Sequence, residues 1–307
     1  MTLQQLEYIV ALDTHRHFVK AAEHCFVTQP TLTLQIQKLE SELNTTIFDR
    51  TKQPIVPTEM GTTIIAKARE ILRESHQLKD IVNEEKDSLS GTFRLGVIPT
   101  IAPYLVPRFL NHFVKNNPKT KLIIREVEST QLIADLKNDI LDIGIMASPI
   151  EEANLKESPL YEEPFLLYAS ELHPLFLKHQ IKADDLSEKG LWLLTEGHCL
   201  RNQVLNICNE KNAKSNHFTY ESGSIETLKN LVKHNMGYTL VPELSVLNET
   251  DDRIKRFNNP EPAREVSMVV HNSFNKELIL EHLKESIQSN IPSSFTMTKN
   301  TQRIKWR

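Results

Sequence analysis

The spacing of apolar residues changes once along this chain, near Thr92, and that change requires two unlike parts. Upstream, apolar residues recur three and four apart, as one face of an α-helix requires. Downstream come seven short apolar or β-branched runs: TFRLGVI, KLIIREV, LDIGIM, PFLLYAS, LWLL, YTLVP and EVSMVV. Helical stretches such as LVPRFLNHFVKNNP, TQLIADLKND and IETLKNLVKHN lie between most of them. Strand and helix in alternation build an open α/β sheet with ligands at strand C-terminal ends. Runs of this number suit two small α/β lobes with a cleft between them. The final stretch, SSFTMTKNTQRIKWR, is polar and basic and reads as a frayed tail.

The upstream part resolves further. LQQLEYIVAL places Leu3, Leu6, Ile9 and Val10 at helical spacing, and HFVKAAEHC reads as a second short helix with Ala21 and Ala22 small enough for close packing. Thr28 is a candidate N-cap for a third helix, with Pro30 in its first turn. Two short helices, a tight connection and a longer third helix are the pattern of a helix-turn-helix. TTIFDRTKQPIVPT then mixes β-branched and aromatic residues with prolines, which suggests a small β-wing. From Thr58 a long helix runs towards Asp87, with Ile64, Ala68, Ile71, Ser75, Leu78 and Val82 alternating by four and three. A seam of that kind wants a partner helix, so dimerisation is its expected role; the alternative is one amphipathic helix packed on its own domain. The predicted boundaries are 1–58 for the winged helix-turn-helix, 59–90 for the linker helix and hinge, 91–300 for the two-lobed α/β part and 301–307 for the tail.

Wound at about 100° per residue, the third helix puts Leu32, Ile36, Leu39 and Leu43 on a core face. Thr31, Leu34, Gln37 and Lys38 point away, and an exposed Leu34 among polar residues suits a thymine methyl in the major groove. Gln29, Pro30 and Thr31 stand at the end that reaches bases or phosphates, and Thr33 and Gln35 flank the strip. Lys38 and the wing residues Arg50 and Lys52 are candidate phosphate contacts. Residues 1–60 nevertheless carry five basic side chains against seven acidic ones, so DNA binding requires more than one copy.

A length of 307 residues suits two or three domains, and no apolar run approaches a membrane span. The N-terminus lacks the basic and apolar regions of a signal peptide, so the expected compartment is the cytoplasm. A net charge of −4 argues against a general polyanion binder. Three cysteines are too few for a disulfide framework, and two of them, Cys199 and Cys208, lie nine residues apart in EGHCLRNQVLNIC. LWLLTEG reads as strand and turn, and CLRNQVLNIC as a helix whose first turn favours a thiolate at Cys199. His198, and Arg201 if it turns inward, would lower that thiol further. Cys208 reads as buried at the far end. Nine helical residues span about 13.5 Å, whereas a disulfide needs Cα atoms within about 7 Å. A bond between the two requires the helix to unwind. The other reading is two small buried hydrophobes.

HFVKAAEHCFVTQPTLTLQIQKLESELNTTIFDR resembles the N-terminal domain of LysR-type transcriptional regulators, whose pattern is F-x-x-A-A, then S/T-Q-P, then a run ending L-E-x-x-L. The resemblance covers essentially the whole chain. It implies an α plus α/β class: winged helix-turn-helix, dimerising linker helix, and a two-lobed periplasmic-binding-protein-like effector domain, usually as a tetramer. GHCLRNQVLNIC, GVIPTIAPYLVP and ETLKNLV are further similar to the peroxide-sensing branch of that family. On that resemblance Cys199 is the peroxidatic thiol, Cys208 the resolving one, Thr100 a hydroxyl that holds peroxide, His198 the adjacent histidine and Arg264 the arginine of the sensing region. The branch's second threonine aligns with Ser129, with Thr130 beside it as a substitute. Cys25 reads as structural. The implied partners are a double-stranded DNA operator, hydrogen peroxide, further copies of the chain, a thiol reductant and RNA polymerase. No cofactor and no membrane partner are implied, and His15, His17, His24, His217 and His234 form no metal-ligand spacing with the cysteines. Two other readings compete: a LysR-type regulator with a small organic anion between its lobes, and a thiol peroxidase, for which a DNA-reading domain has no use.

Overall fold

The computed structural model describes residues 1–83, 89–187, 190–208, 222–295 and 301–306. The chain divides into two compact units, Met1–Ser88 and Leu89–Arg307. In the first, α1 (Leu3–His15), α2 (Phe18–His24) and α3 (Gln29–Glu42) are followed by β1 (Phe48–Asp49), β2 (Val56–Pro57) and α4 (Glu59–Asn83). Thr2 and Gln5 form a capping box at α1. Thr28 caps α3, its hydroxyl accepting from the Thr31 N–H at 3.4 Å, with Pro30 in the first turn, where no N–H is needed. The antiparallel β1–β2 pair is the wing.

Leu6, Ile9, Leu12, Ala21, Ala22, Leu32, Ile36 and Leu39 form the core of this unit with Ile47 and Phe48. Leu43, expected on the same face, is the C-cap of α3 and 38% exposed. The chain leaves the helix there through Asn44 in the left-handed region, which carries Leu43 past the end of the buried stripe. The proposed seam on α4 also needs correction. Ala68 is only 2% exposed and completes the core of its own unit with Ile65 and Leu72, leaving nothing for a partner to cover. Ile64 and Ile71 are half-buried against that core, whereas Leu78 is 68% exposed. The physical reason is α1, which packs against this stretch of α4. Arg69, buried on the same side, donates to Asp13 at 2.9 Å. The side chain of Val82 and the stretch 84–88 lie outside the described residues.

The second unit runs β3 (Gly91–Val97), α5 (Ala102–Asn116), β4 (Thr120–Glu126), α6 (Ser129–Lys137), β5 (Ile143–Ser148), β6 (Leu155–Ala169), β7 (Gln180–Ile181), α7 (Cys199–Ile207), α8 (Ile225–Lys233), β8 (Tyr238–Pro242), β9 (Ile254–Phe257), β10 (Glu261–His271), α9 (Glu277–Gln288) and β11 (Thr301–Arg303). The strands follow the order β4-β3-β5-β10-β6-β9-β7, with β8 also on β6 and β11 on β10. β3 is parallel to both β4 and β5. The long strands β6 and β10 pair antiparallel. One apolar cluster gathers Val97, Phe109, Leu132, Ile145, Val266 and Leu283. A second gathers Phe165, Leu167, Val204, Leu228, Tyr238 and Leu240. These are the two lobes that the alternation of runs predicts.

Two local expectations fail. LWLL forms no strand: only Leu191 bridges, to Tyr238, and the Trp192 indole N–H donates to the Met236 carbonyl at 2.7 Å. The final stretch is not frayed over 301–306. β11 pairs with β10, and Trp306 is buried in the first lobe's core; residues 296–300 and 307 lie outside the described residues.

Candidate functional site

The helix that carries both thiols follows from the sequence as read, although the strand expected before it does not form. α7 begins at Cys199, with His198 as N-cap and Cys208 as C-cap, so the expected helix between the cysteines is present. All three cysteines are reduced, none of them in a disulfide. Cys199 packs into the first lobe's core and Cys208 into the second's. α7 therefore ties the lobes together, and closing the pair removes at least one cysteine from its core.

Around Cys199 the fold assembles Thr100, Ser129 and Arg264, and none of the four keeps more than 1% exposure. Thr100 follows β3 just before α5, and Ser129 opens α6. Arg264 lies on β10 directly opposite Glu163 on β6. The Ser129 hydroxyl lies beside the Cys199 thiol, where it favours the thiolate. Thr130, its possible substitute, faces solvent. Arg264 donates through Nη1 to the Thr100 hydroxyl and through Nη2 to the Thr100 carbonyl, each at 3.1 Å.

Glu163 is the residue that sequence reasoning missed. It is fully buried, accepts from Arg264 Nε at 2.8 Å and lies 2.7 Å from Arg264 Nη2. Its other oxygen accepts from the Leu244 N–H at 2.8 Å. With both ends held, the carboxylate fixes the guanidinium plane that faces Thr100. The available signal was a glutamate inside an apolar strand, YEEPFLLYA, where a charge needs a counter-charge.

Three electrostatic expectations change. Burial pushes the Cys199 thiol above its ordinary range, although the Ser129 hydroxyl, Arg264 and backbone N–H groups pull the other way. His198 is itself pushed down by burial, against the pull of Glu128, so it is neutral at neutral pH and supplies no positive charge. Its ring turns to Glu128, with Nε2 3.8 Å from Oε1, and to Gly223, where a Cβ would come within 2.9 Å of Nε2. Only glycine leaves that room. Arg201 does not turn inward: Nη1 donates to the Leu194 carbonyl at 2.9 Å.

In the first unit, Gln29, Pro30, Thr31, Leu34, Gln37 and Lys38 form an exposed strip on α3. Thr33 buries its hydroxyl away from that strip, and the Gln35 side chain accepts from Gln5 at 3.2 Å. Arg50 is held by Glu40 at 2.7 Å and lies over the Phe18 ring, so it is not poised for phosphate; Lys52 remains exposed. Cys25 is the half-buried C-cap of α2, consistent with a structural thiol. Among the described residues, no group of three or more His, Cys, Asp or Glu could hold a metal, and no helix is long and apolar enough to cross a membrane.

A winged helix-turn-helix followed by a two-lobed α/β unit defines a DNA-binding transcriptional regulator with an effector domain. Residues 3–62 match the bacterial regulatory helix-turn-helix proteins of the lysR family, and residues 86–290 match the LysR substrate binding domain. The chain belongs to the LysR family. It is 37% identical over 273 residues to a hydrogen peroxide-inducible genes activator of Pectobacterium carotovorum, covering 88% of this chain and 90% of that one. It is 36% identical over 299 residues to the DNA-binding transcriptional dual regulator OxyR of Escherichia coli K12, covering 96% and 97%. Full-length OxyR from Pseudomonas aeruginosa superposes with a TM-score of 0.81 at 34% identity, covering 95% of this chain and 99% of that one.

Proposed function

We infer that this chain is a peroxide-sensing DNA-binding transcriptional regulator, switched by oxidation of Cys199 and a Cys199–Cys208 disulfide. One observation carries the reading: a buried thiol at a helix N-terminus, beside a hydroxyl and in the field of an arginine that also grips Thr100. The Cys199 sulfur attacks one peroxide oxygen, the O–O bond breaks, and the departing oxygen leaves as water after taking a proton. Thr100 accepts from Arg264, which leaves its own proton to donate to peroxide. Ser129 orients the sulfur, and Arg264 stabilises negative charge first on sulfur and then on the leaving oxygen. His198, being neutral, acts as a hydrogen-bonding neighbour. Cys208 then attacks the sulfenic sulfur and expels a second water, forming the disulfide. A dithiol reductant supplies two electrons and two protons to restore the pair.

The exposed strip of α3 reads the operator, with Gln29, Thr31 and Leu34 at base edges and Lys38 and Lys52 at phosphates. The outward residues of α4, Leu78 above all, join copies into a dimer and then a tetramer, which supplies the second helix-turn-helix that the acidic first unit needs. RNA polymerase is the downstream partner. The cycle between free thiols and a disulfide suits the reducing cytoplasm.

The experiment is mass spectrometry of the reduced chain after a slight excess of hydrogen peroxide. The expected product has lost two hydrogens and gives a cross-linked 199–208 peptide. Oxidation without that peptide, or no reaction, would sink the reading.

A further inference from the structure

The last described segment is tethered to the helix that carries both cysteines. β11 runs parallel to β10, with Arg303 opposite Ala263, and the Ile304 N–H donates to the Ala263 carbonyl at 2.8 Å. Three successive carbonyls then meet side-chain amides of α7. Gln203 Nε2 donates to Ile304 O at 3.1 Å, Asn206 Nδ2 to Lys305 O at 2.8 Å and Asn202 Nδ2 to Trp306 O at 3.1 Å. Positions i, i+1 and i+4 share one side of a helix, spanning about 100°. Ile304 packs on the second lobe's core and Trp306 is buried in the first's. Arg303 pairs with Glu265 at 2.7 Å, and Lys305 with Glu151 at 3.1 Å.

We propose that the 202–203–206 face of α7 is a backbone-binding site whose occupant is this chain's own segment 304–306, and that disulfide formation empties it. Amide donors to main-chain carbonyls read an extended backbone rather than particular side chains. They match three successive carbonyls only while α7 is helical. Bringing Cys199 and Cys208 from about 13.5 Å to within about 7 Å requires that helix to unwind, which scatters the donors. The Lys305–Glu151 pair is exposed and holds weakly, whereas Arg303 anchors the start of the segment to Glu162 and Glu265. The segment also touches Ala263, the residue before Arg264, so it links the thiol's helix to the arginine's strand. Only the emptying rests on the peroxide reading above; the binding site stands on the reduced geometry alone.

Limited trypsin digestion of the full chain, with cleavage after Arg303 and Lys305 read by mass, tests both halves. Asn202 and Asn206 are exposed, so Asn202→Ala with Asn206→Ala should fold. In the reduced state that variant should be cut at these sites about tenfold faster than wild type, from the loss of two hydrogen bonds. Equal rates overturn the site. Peroxide should accelerate the same cuts in wild type and not in Cys208→Ser. A 199–208 disulfide with unchanged cleavage overturns the emptying and leaves the peroxide reading intact. Absence of the disulfide removes the peroxide reading and the emptying together, while the reduced-state comparison still decides the site.

Discussion

The N-termini of α3 and α7 each follow an extended N-cap residue and face opposite environments. Thr28 caps the first with its hydroxyl, whereas His198 precedes the second with no side-chain bond to the helix. Gln29 and Thr31 at the start of α3 are exposed, whereas Cys199 at the start of α7 is enclosed. A helix N-terminus favours a nearby negative charge by about 0.3–1 kcal/mol at an exposed site. Withdrawing an ion from water costs several kcal/mol after relaxation. At α3 nothing opposes the dipole, and an incoming phosphate benefits. At α7 desolvation outweighs it, so Cys199 rests as a thiol and its reactivity depends on Arg264 and Ser129.

The comparison breaks most completely at the thiol. Cys199→Ser should abolish the peroxide response and the disulfide, measured by peptide mass. Cys208→Ser should still consume peroxide and stop at a sulfenic acid, trapped by a dimedone-type reagent. If Cys199→Ser still responds, the buried N-terminus is not the sensor. Next in size is the ion pair beneath it. Glu163→Gln should destabilise the chain by about 3–5 kcal/mol, because it leaves Arg264 buried without its counter-charge. Adding Arg264→Met should recover much of that loss in a denaturant titration. No recovery would mean that Glu163 acts other than through the arginine.

At the exposed N-terminus the effects should be smaller and visible only with DNA. Gln29→Ala or Thr31→Ala should cost about 1–3 kcal/mol of specific binding if the side chain reads a base. Lys38→Ala should weaken all sequences alike and reduce the salt slope by about one. Unchanged specificity in both base-reading variants would misplace the face.

The gentlest test is pH. His198 is held below its usual value by burial, so its contribution to stability is present above the unfolded histidine's range near about 6.5. That contribution is lost as pH falls through the lower folded value. Cys199 is held above its usual range, so its contribution is complete below the unfolded thiol's range near about 8.5. It is lost as pH rises through the folded value. Thermal melts of His198→Asn and Cys199→Ser should flatten the acid and alkaline arms respectively; identical curves would remove burial as the cause.

Much of this was legible before any coordinates. Thr28, Pro30 and the Leu32–Ile36–Leu39 stripe specify α3 because capping and helical period are local properties. The same holds for the cysteine-bearing helix α7 and for six of the seven β-runs, which fall within β3, β4, β5, β6, β8 and β10 or extend them by one or two residues. LWLL was misread because four apolar residues do not show whether a partner strand lies alongside. β7 and β9 are too short to show a period at all. Ala68 was misassigned because a heptad pattern records which face is apolar and not which helix covers it.

The sequence alone determined most of the local elements, the change of period at Thr92 and the membership that its motifs imply. Tertiary structure decided the environment of each group. It set Glu163 opposite Arg264, chose Ser129 over Thr130, enclosed Cys199 and docked residues 304–306 on α7. The reason is physical: capping and period act within a few residues, whereas desolvation, counter-charge and enclosure come from residues as distant in sequence as Thr100 and Arg264, and exist only once the chain has closed around them.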